Sequence, residues 1–472
     1  MDRIETDVLV IGAGSAGLSV AAGAVQMGAR VVLVEAGEMG GDCLNTGCVP
    51  SKALIAAAHA AWAPHRAGAF GITATPGQVD YAAVMDHVQD VIARIAPVDS
   101  QERFEGLGVR VIRGWARFVS PREISVGDHV IRARRIVLAT GSRPVVPPIP
   151  GLDGVPYLTT ETLWDLRDRP GHLVILGGGP IGIEMAQAHR RLGAEVTVIE
   201  AGRALGREDA EAAGLVLDSL RAEGVTLHEG AGAAAVSGAT GQITVELDDG
   251  RRVTGTHLLV ATGRRAVAEG LGLEAAGIAT TRTGIRTDDR MRTTNRRVYA
   301  IGDAAGGAQF THLAGYHAAT ILRPILFGLP ARVRNDHVPR VTYADPELAQ
   351  VGLTEAEARE VHGEEIEALR FDLAHVDRAI AERRTRGFVR VMVHRGRPEG
   401  VTIVGEGAGE HANLWALALA NRLKMSQISA MVSPYPTMGE LSKRVAGAYF
   451  APKLFDSSLV KRVVGLVQKV LP

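Results

Sequence analysis

The chain has 472 residues, which at roughly 150 residues per domain suggests about three domains. Hydrophobic residues make up 46% and charged residues 22%, which excludes a disordered chain. The 52 basic residues balance 52 acidic ones, so no net field draws the whole molecule to nucleic acid or to an anionic surface. The only cysteines, Cys43 and Cys48, are too few for a disulfide scaffold, a multi-thiolate zinc site or an iron–sulfur cluster, and no metal site is expected.

Asp2, Glu5 and Asp7 stand where an export signal would carry positive charge, so the cytoplasm is the expected compartment. The 22 uncharged residues from Val8 to Ala29 are long enough to span a bilayer. They include five glycines and open on Val8, Leu9, Val10 and Ile11, which fits a buried strand, a turn and a helix better than a lipid-facing helix.

That stretch has a copy. Val8–Gly37 aligns without a gap to 173–202, with 10 of 30 positions identical. Each copy reads as an apolar strand, a G-x-G-x-x-G turn, an Ala-rich helix and a second strand ending in Glu. Gly12 and Gly177 permit the tight turn, Gly14 and Gly179 let a pyrophosphate approach the backbone, and Gly17 and Gly182 let the helix close on the strand. Glu35 and Glu200 each lie 18 residues beyond the third glycine, at a strand end where a carboxylate meets ribose hydroxyls. Two such units in register predict two bound dinucleotides and an α/β, doubly wound architecture. Two shorter echoes, VLATGSRP (137–144) and LVATGRRA (259–266), close each nucleotide fold with a strand ending in Ala-Thr-Gly.

Between these copies lies GGDCLNTGCVPSK, residues 40–52. Four residues separate the cysteines, and Gly40, Gly41 and Gly47 give the loop freedom to bring them to disulfide distance. Pro50 reads as a first-turn proline, which places Cys48 at a helix N-terminus where the dipole favours the thiolate. A redox pair is the expectation.

With these motifs, together with VYAIGDAAG (298–306) and SPYPTMGE (433–440), the chain resembles the flavoprotein disulfide reductases, among them dihydrolipoamide dehydrogenase, glutathione reductase and mercuric reductase. The resemblance implies FAD on the first nucleotide fold, with Gly12, Gly14, Ser15, Gly17, Glu35, Gly41, Thr140, Gly141 and Asp303 around it. It implies NADH or NADPH on the second, with Gly177, Gly179, Gly182, Glu200 and Gly263. Glu200 favours NADH, because a carboxylate repels a 2′-phosphate, although Arg203 and Arg207 lie close by in sequence. The resemblance further implies that Cys48 faces the flavin, that Cys43 attacks an outside substrate, and that Lys52 and Glu184 form an ion pair beside the ring.

The implied organisation is an FAD domain in two segments (1–147 and 273–337), an inserted nicotinamide domain (148–272) and an α+β dimerisation domain (338–452). In the implied homodimer, Tyr435 and Glu440 of one subunit approach the cysteines of the other. Members that work on thiols usually carry His where this chain has Tyr435, and a Tyr with pKa about 10 is a poor base at neutral pH. No cysteine follows Cys48, so the C-terminal pair of mercuric reductase has no counterpart and efficient mercury handling is not expected. The electron acceptor, a small molecule or small protein, stays open between a disulfide and a metal-type species. Dihydrolipoamide dehydrogenase proper is the alternative, as is a docked flavoprotein with little disulfide turnover. The segment 453–472 reads as a basic amphipathic helix for its own dimer, a partner protein or a membrane surface, which leaves a peripheral membrane location open.

Overall fold

The computed structural model describes residues 2–471. Two compact units emerge: one holds the chain up to Gly68 with Thr73–Ala201 and Leu227–Arg334, the other Ala69–Ile72, Gly202–Thr226 and the chain from Asn335 onward.

The first unit is built on a seven-stranded sheet. Asp2–Ile11 pairs in parallel with Val31–Glu35 on one side and His129–Leu138 on the other. Arg110–Arg113 and Val298–Ala300 extend the parallel part. Glu123–Val126 and Arg117–Ser120 add an antiparallel edge. Val8, Leu9 and Val10 are fully buried, as a continuous apolar run must be when both faces of a parallel sheet are covered. The uncharged N-terminal stretch thus resolves into a strand and the helix Ser15–Gln26, and among the described residues no helix is long and apolar enough to cross a membrane.

The second nucleotide fold repeats the plan. His172–Leu176 lies between Glu195–Glu200 and His257–Val260, all parallel, with the helix Pro180–Arg191 following its turn. A three-stranded antiparallel sheet (Ala233–Ala239, Gln242–Leu247, Arg252–Gly255) is inserted before the last parallel strand. The two Ala-Thr-Gly echoes meet directly: Ser142–Pro144 and Arg264–Ala266 pair antiparallel as a short ribbon.

In the other unit a five-stranded antiparallel sheet runs in the order Pro339–Thr342, Glu347–Gly352, Arg397–Gly405, Phe388–His394, Ile366–Asp372. Trp415, Met425, Val391 and Ile403 fill its core under the helices Ala408–Ala420 and Glu440–Ala448. Gly202–Thr226, which the sequence places inside the nicotinamide domain, gathers instead with this sheet. Arg390 pairs with Asp209 at 2.8 Å and Arg340 with Glu208 at 3.0 Å, and both acids are nearly buried, so their charge needs these partners.

Candidate active site: two nucleotide turns and a thiol pair

Each turn is shaped by glycine at the closest approaches. A Cβ on Gly12 would lie 2.3 Å from the Ala139 carbonyl oxygen, and one on Gly177 2.4 Å from that of Ala261. Gly17 and Gly182 are tighter still, at 1.8 and 2.0 Å from the carbonyl oxygens of Gly12 and Gly177. The middle glycines differ: Gly179 has nothing within 4 Å of such a Cβ, and Gly14 only the Gly41 Cα at 3.9 Å. Gly14 and Gly179 begin their helices without a side-chain cap, so the first N–H groups point outward as donors for an anion. The acids that end the second strands brace these turns. The Glu35 carboxylate accepts from the N–H groups of Ala13 (2.5 Å) and Gly37 (2.6 Å), and Glu200 accepts from Gly178 N–H (2.7 Å). Two open cradles, rigid except where a phosphate must approach, fit a pair of dinucleotides.

The cysteine loop is tied to the first turn. Gly40 N–H donates to the Ala13 carbonyl at 2.9 Å, and Gly41 packs on Gly14 so closely that a Cβ would sit 2.7 Å from its Cα. Cys48 is the first residue of the helix Cys48–Ala67, which has no side-chain cap. Both cysteines are free thiols, Cys43 half-buried and Cys48 exposed. The two thiols interact, and this interaction splits their acidities. Cys43, beside Cys48 and partly buried, is pushed well above the usual thiol range, while Cys43, the Thr311 hydroxyl 3.3 Å away and the Lys52 charge pull Cys48 down to about 6. Cys48 is therefore the thiolate of the pair near neutral pH.

Lys52, one turn further along, places Nζ 2.9 Å from Glu184 Oε2, with Glu184 almost buried on the helix Pro180–Arg191. One turn on, His189 Nδ1 donates to the Met185 carbonyl (2.8 Å) while Nε2 accepts from the Tyr81 hydroxyl (3.2 Å). Burial holds His189 at about 4, neutral at physiological pH, so this bond positions the helix and adds no charge near Glu184.

Sequence reasoning passed over the groups that join these parts. Arg264 reaches Asp42 of the cysteine loop at 3.1 Å and donates to Ser142 Oγ at 2.9 Å; Ser142 in turn donates to Asp303 Oδ2 at 2.5 Å. Burial raises the Asp303 carboxyl against the lowering effect of that bond. Trp164 Nε1–H is shared between the carbonyls of Thr46 (2.9 Å) and Thr160 (2.6 Å), pinning the cysteine loop from its other end. Buried His317, lowered to about 4, accepts from Gly302 N–H and fixes the turn that presents Asp303. One signal was available: Ser142 and Arg264 occupy the same position of the two Ala-Thr-Gly echoes. Thr140 Oγ1 donates to the Val267 carbonyl, while Gly141 and Gly263 take positive φ angles that other residues rarely adopt.

Tyr435 and Glu440 lie in the second unit and do not hydrogen-bond each other. Tyr435 is 68% exposed, and its hydroxyl donates to Asp377 Oδ2 at 3.0 Å, a bond that raises its pKa. Glu440 is nearly buried; one oxygen meets Arg444 at 3.4 Å, and the other has no hydrogen-bond partner among the described residues. Elsewhere on this unit His362, His394 and Glu399 bring ligand atoms within 4.8 Å of one another. The two imidazoles stack at 4.2 Å, so their in-plane lone pairs run side by side instead of converging, and His394 Nε2 is taken by Glu365 at 3.0 Å.

Comparison with known proteins places these parts in context. Residues 6–318 match the family described as pyridine nucleotide-disulphide oxidoreductase, and residues 338–446 match its dimerisation domain. The chain is 35% identical over 455 residues to mercuric reductase of Streptomyces lividans, covering 94% of this chain and 96% of that protein. It is 31% identical over 448 residues to dihydrolipoyl dehydrogenase of Bacillus subtilis, covering 91% and 96%. Among solved structures, the Cu(II) complex of RclA, an HOCl-induced flavoprotein disulfide reductase of Escherichia coli, superposes with a TM-score of 0.83 at 28% identity, covering 94% of this chain and 99% of that one. LpdA of Mycobacterium tuberculosis gives 0.86 at 26% identity, covering 95% and 100%.

Proposed function

Because the chain belongs to the pyridine nucleotide-disulphide oxidoreductase family, we propose that it passes two electrons from NAD(P)H through FAD to Cys43 and Cys48, and from them to a thiophilic metal ion in preference to an organic disulfide. It is an oxidoreductase of that family, uses FAD and NAD(P)H, and carries the family's dimerisation domain, which makes the homodimer its working form. In this reading residues 1–147 and 273–337 hold FAD, 148–272 without the segment 202–226 hold the nicotinamide nucleotide, and 338–452 meet the second copy, in the cytoplasm.

The flavin supplies the change from hydride to electron-pair transfer. The protein supplies everything else. The outward N–H groups at Gly14 and Gly179 take the two pyrophosphates, with Glu35 and Glu200 at the riboses. Ser15, Gly41, Thr140, Gly141 and Asp303 complete the flavin cradle, and Gly263 the nicotinamide one. Lys52, held in place by its ion pair with Glu184, keeps a positive charge near the Cys48 sulfur and favours the thiolate. Cys43 keeps its proton at neutral pH until it attacks or binds the acceptor. Loss of two electrons and of the Cys43 proton from the reduced pair forms the Cys43–Cys48 disulfide; one Hg(II) or two Cu(II) take up the electrons, and the proton passes to solvent.

The observation that carries the choice of acceptor is the Tyr435–Asp377 bond. Turnover of an organic disulfide returns a proton to a leaving thiol. A tyrosine hydroxyl held by a carboxylate, with its pKa raised, is a poor proton carrier at pH 7. A soft metal ion binds thiolates and asks for no such proton. Relatives named for mercuric ion and for a Cu(II) complex lend support. The test is NADH oxidation with Cu(II), Hg(II) and lipoamide as acceptors, in the wild type and in Tyr435→His. The reading expects Cu(II)-dependent turnover in both proteins, with slower Hg(II) turnover because no cysteine follows Cys48 to deliver that ion, and a rise in lipoamide turnover of about 10²-fold in the variant, the lower end of general acid–base gains. Wild-type enzyme that favours lipoamide over both ions contradicts it.

A further inference from the structure

We propose that the helix Ser458–Val470 docks on the surface of an anionic lipid bilayer. Its N-terminus is capped by Ser457, whose hydroxyl accepts from Val460 N–H at 3.3 Å, and none of its residues is buried. At about 100° per residue, Leu459, Val460, Val463, Val464, Leu466, Val467, Val470 and Leu471 fall within an arc of about 160°. The opposite face carries Ser458, Lys461, Arg462, Gly465, Gln468 and Lys469. Leu459 is 68% exposed, Leu466 63% and Val470 72%, and the preceding Phe455 is exposed as well.

Two features say what covers this face. The first is charge. In a chain with equal numbers of acids and bases, residues 457–471 carry three basic side chains and no acidic one. Arg462 and Lys469 border one edge of the apolar arc, and Lys461 lies beyond the other. From there long side chains reach up to lipid phosphates while the valines and leucines enter the acyl boundary. The second is place. The family's dimerisation match ends at residue 446, and the helix begins beyond it, at Ser458. Intrinsic propensity adds to this. A segment of thirteen residues with five valines and a mid-helix glycine is a weak helix former in water, and the interface that buries its apolar face would stabilise it.

The FAD-loaded full-length protein is floated with phosphatidylcholine vesicles, with and without phosphatidylglycerol. Wild type should float with the anionic vesicles and prefer them by about a hundredfold, the effect of three basic side chains near a charged surface. Val463→Asp with Leu466→Asp should stay in solution. Lys461→Glu with Arg462→Glu and Lys469→Glu should lose the anionic preference. Both should keep wild-type flavin content and NADH oxidation, which separates lost docking from lost folding. Wild type that does not float with anionic vesicles overturns the proposal, as does equal binding to neutral ones. A chain shortened after Phe455 that shifts the dimer to monomer would assign the face to the second subunit and overturn it too.

Discussion

The two nucleotide turns are nearly superimposable in their logic and opposite in where the chain goes next. Gly12 and Gly177 meet a carbonyl at 2.3 and 2.4 Å, Gly17 and Gly182 at 1.8 and 2.0 Å, and each turn is braced by the acid that ends its second strand. After Glu35, however, the chain runs back over its own turn, bridging Gly14 to Gly40, and delivers two thiols to a helix N-terminus. After Glu200 it leaves for the other unit, where Glu208 and Asp209 are held by Arg340 and Arg390. The turn is a general anion cradle. The chemistry is set by the roughly fifteen residues beyond the second strand, where the two copies no longer resemble each other.

The sharpest way to break this comparison is to damage each turn at its tightest point. Gly17→Ala drives a Cβ into the Gly12 carbonyl and should yield protein without bound FAD, colourless after purification. Gly182→Ala makes the equivalent clash at Gly177, yet should keep the yellow flavin and lose reduction by NADH. Flavin retained in the first and lost in the second would reverse the assignment of the two folds. Next in size is Lys52→Met. It removes a positive charge that lowers the Cys48 pKa and leaves Glu184 nearly buried beside a neutral side chain. Because Cys48 is the thiolate above about pH 6 in the intact protein, raising its pKa moves the rise in thiolate absorbance to higher pH. Alkylation below neutrality should then slow severalfold; an unmoved titration would deny Lys52 that role. The smallest effect belongs to Glu200→Ala. Removing the carboxylate relieves repulsion of a 2′-phosphate worth about 1 kcal/mol, which should shift the NADH-over-NADPH ratio of kcat/KM by about fivefold towards NADPH.

The features legible in the sequence were local or repeated. The strand–turn–helix copies have fixed spacing, the cysteine loop is contiguous, and the amphipathic helix declares itself through residues three and four apart. The family follows from those motifs, and the match over 6–318 and 338–446 agrees with it. The groups that bind the centre together were not legible. Thr311 is 263 residues from Cys48, and Asp303 is 161 from Ser142. Such partners meet only through the tertiary fold and leave no period in the chain. The same holds for Asp377 under Tyr435, 58 residues away, which sets the acidity of that hydroxyl. Nor does hydrophobic pattern reveal that 202–226 changes unit: the helix Ala210–Ala222 buries Ala212, Ala213, Val216, Leu217 and Leu220 as any amphipathic helix would, and the ion pairs of Glu208 and Asp209 that mark its partner sheet join residues far apart in the chain.

Anaerobic titration with NADH tests the central claim most directly. If electrons settle on the Cys43–Cys48 pair with Cys48 as the thiolate next to the flavin, two-electron reduction should produce a long-wavelength thiolate-to-flavin absorption band. Cys48→Ser should abolish that band, and Cys43→Ser should show it already in the oxidised protein. Flavin that bleaches without the band, or the same spectrum in both variants, would contradict the account.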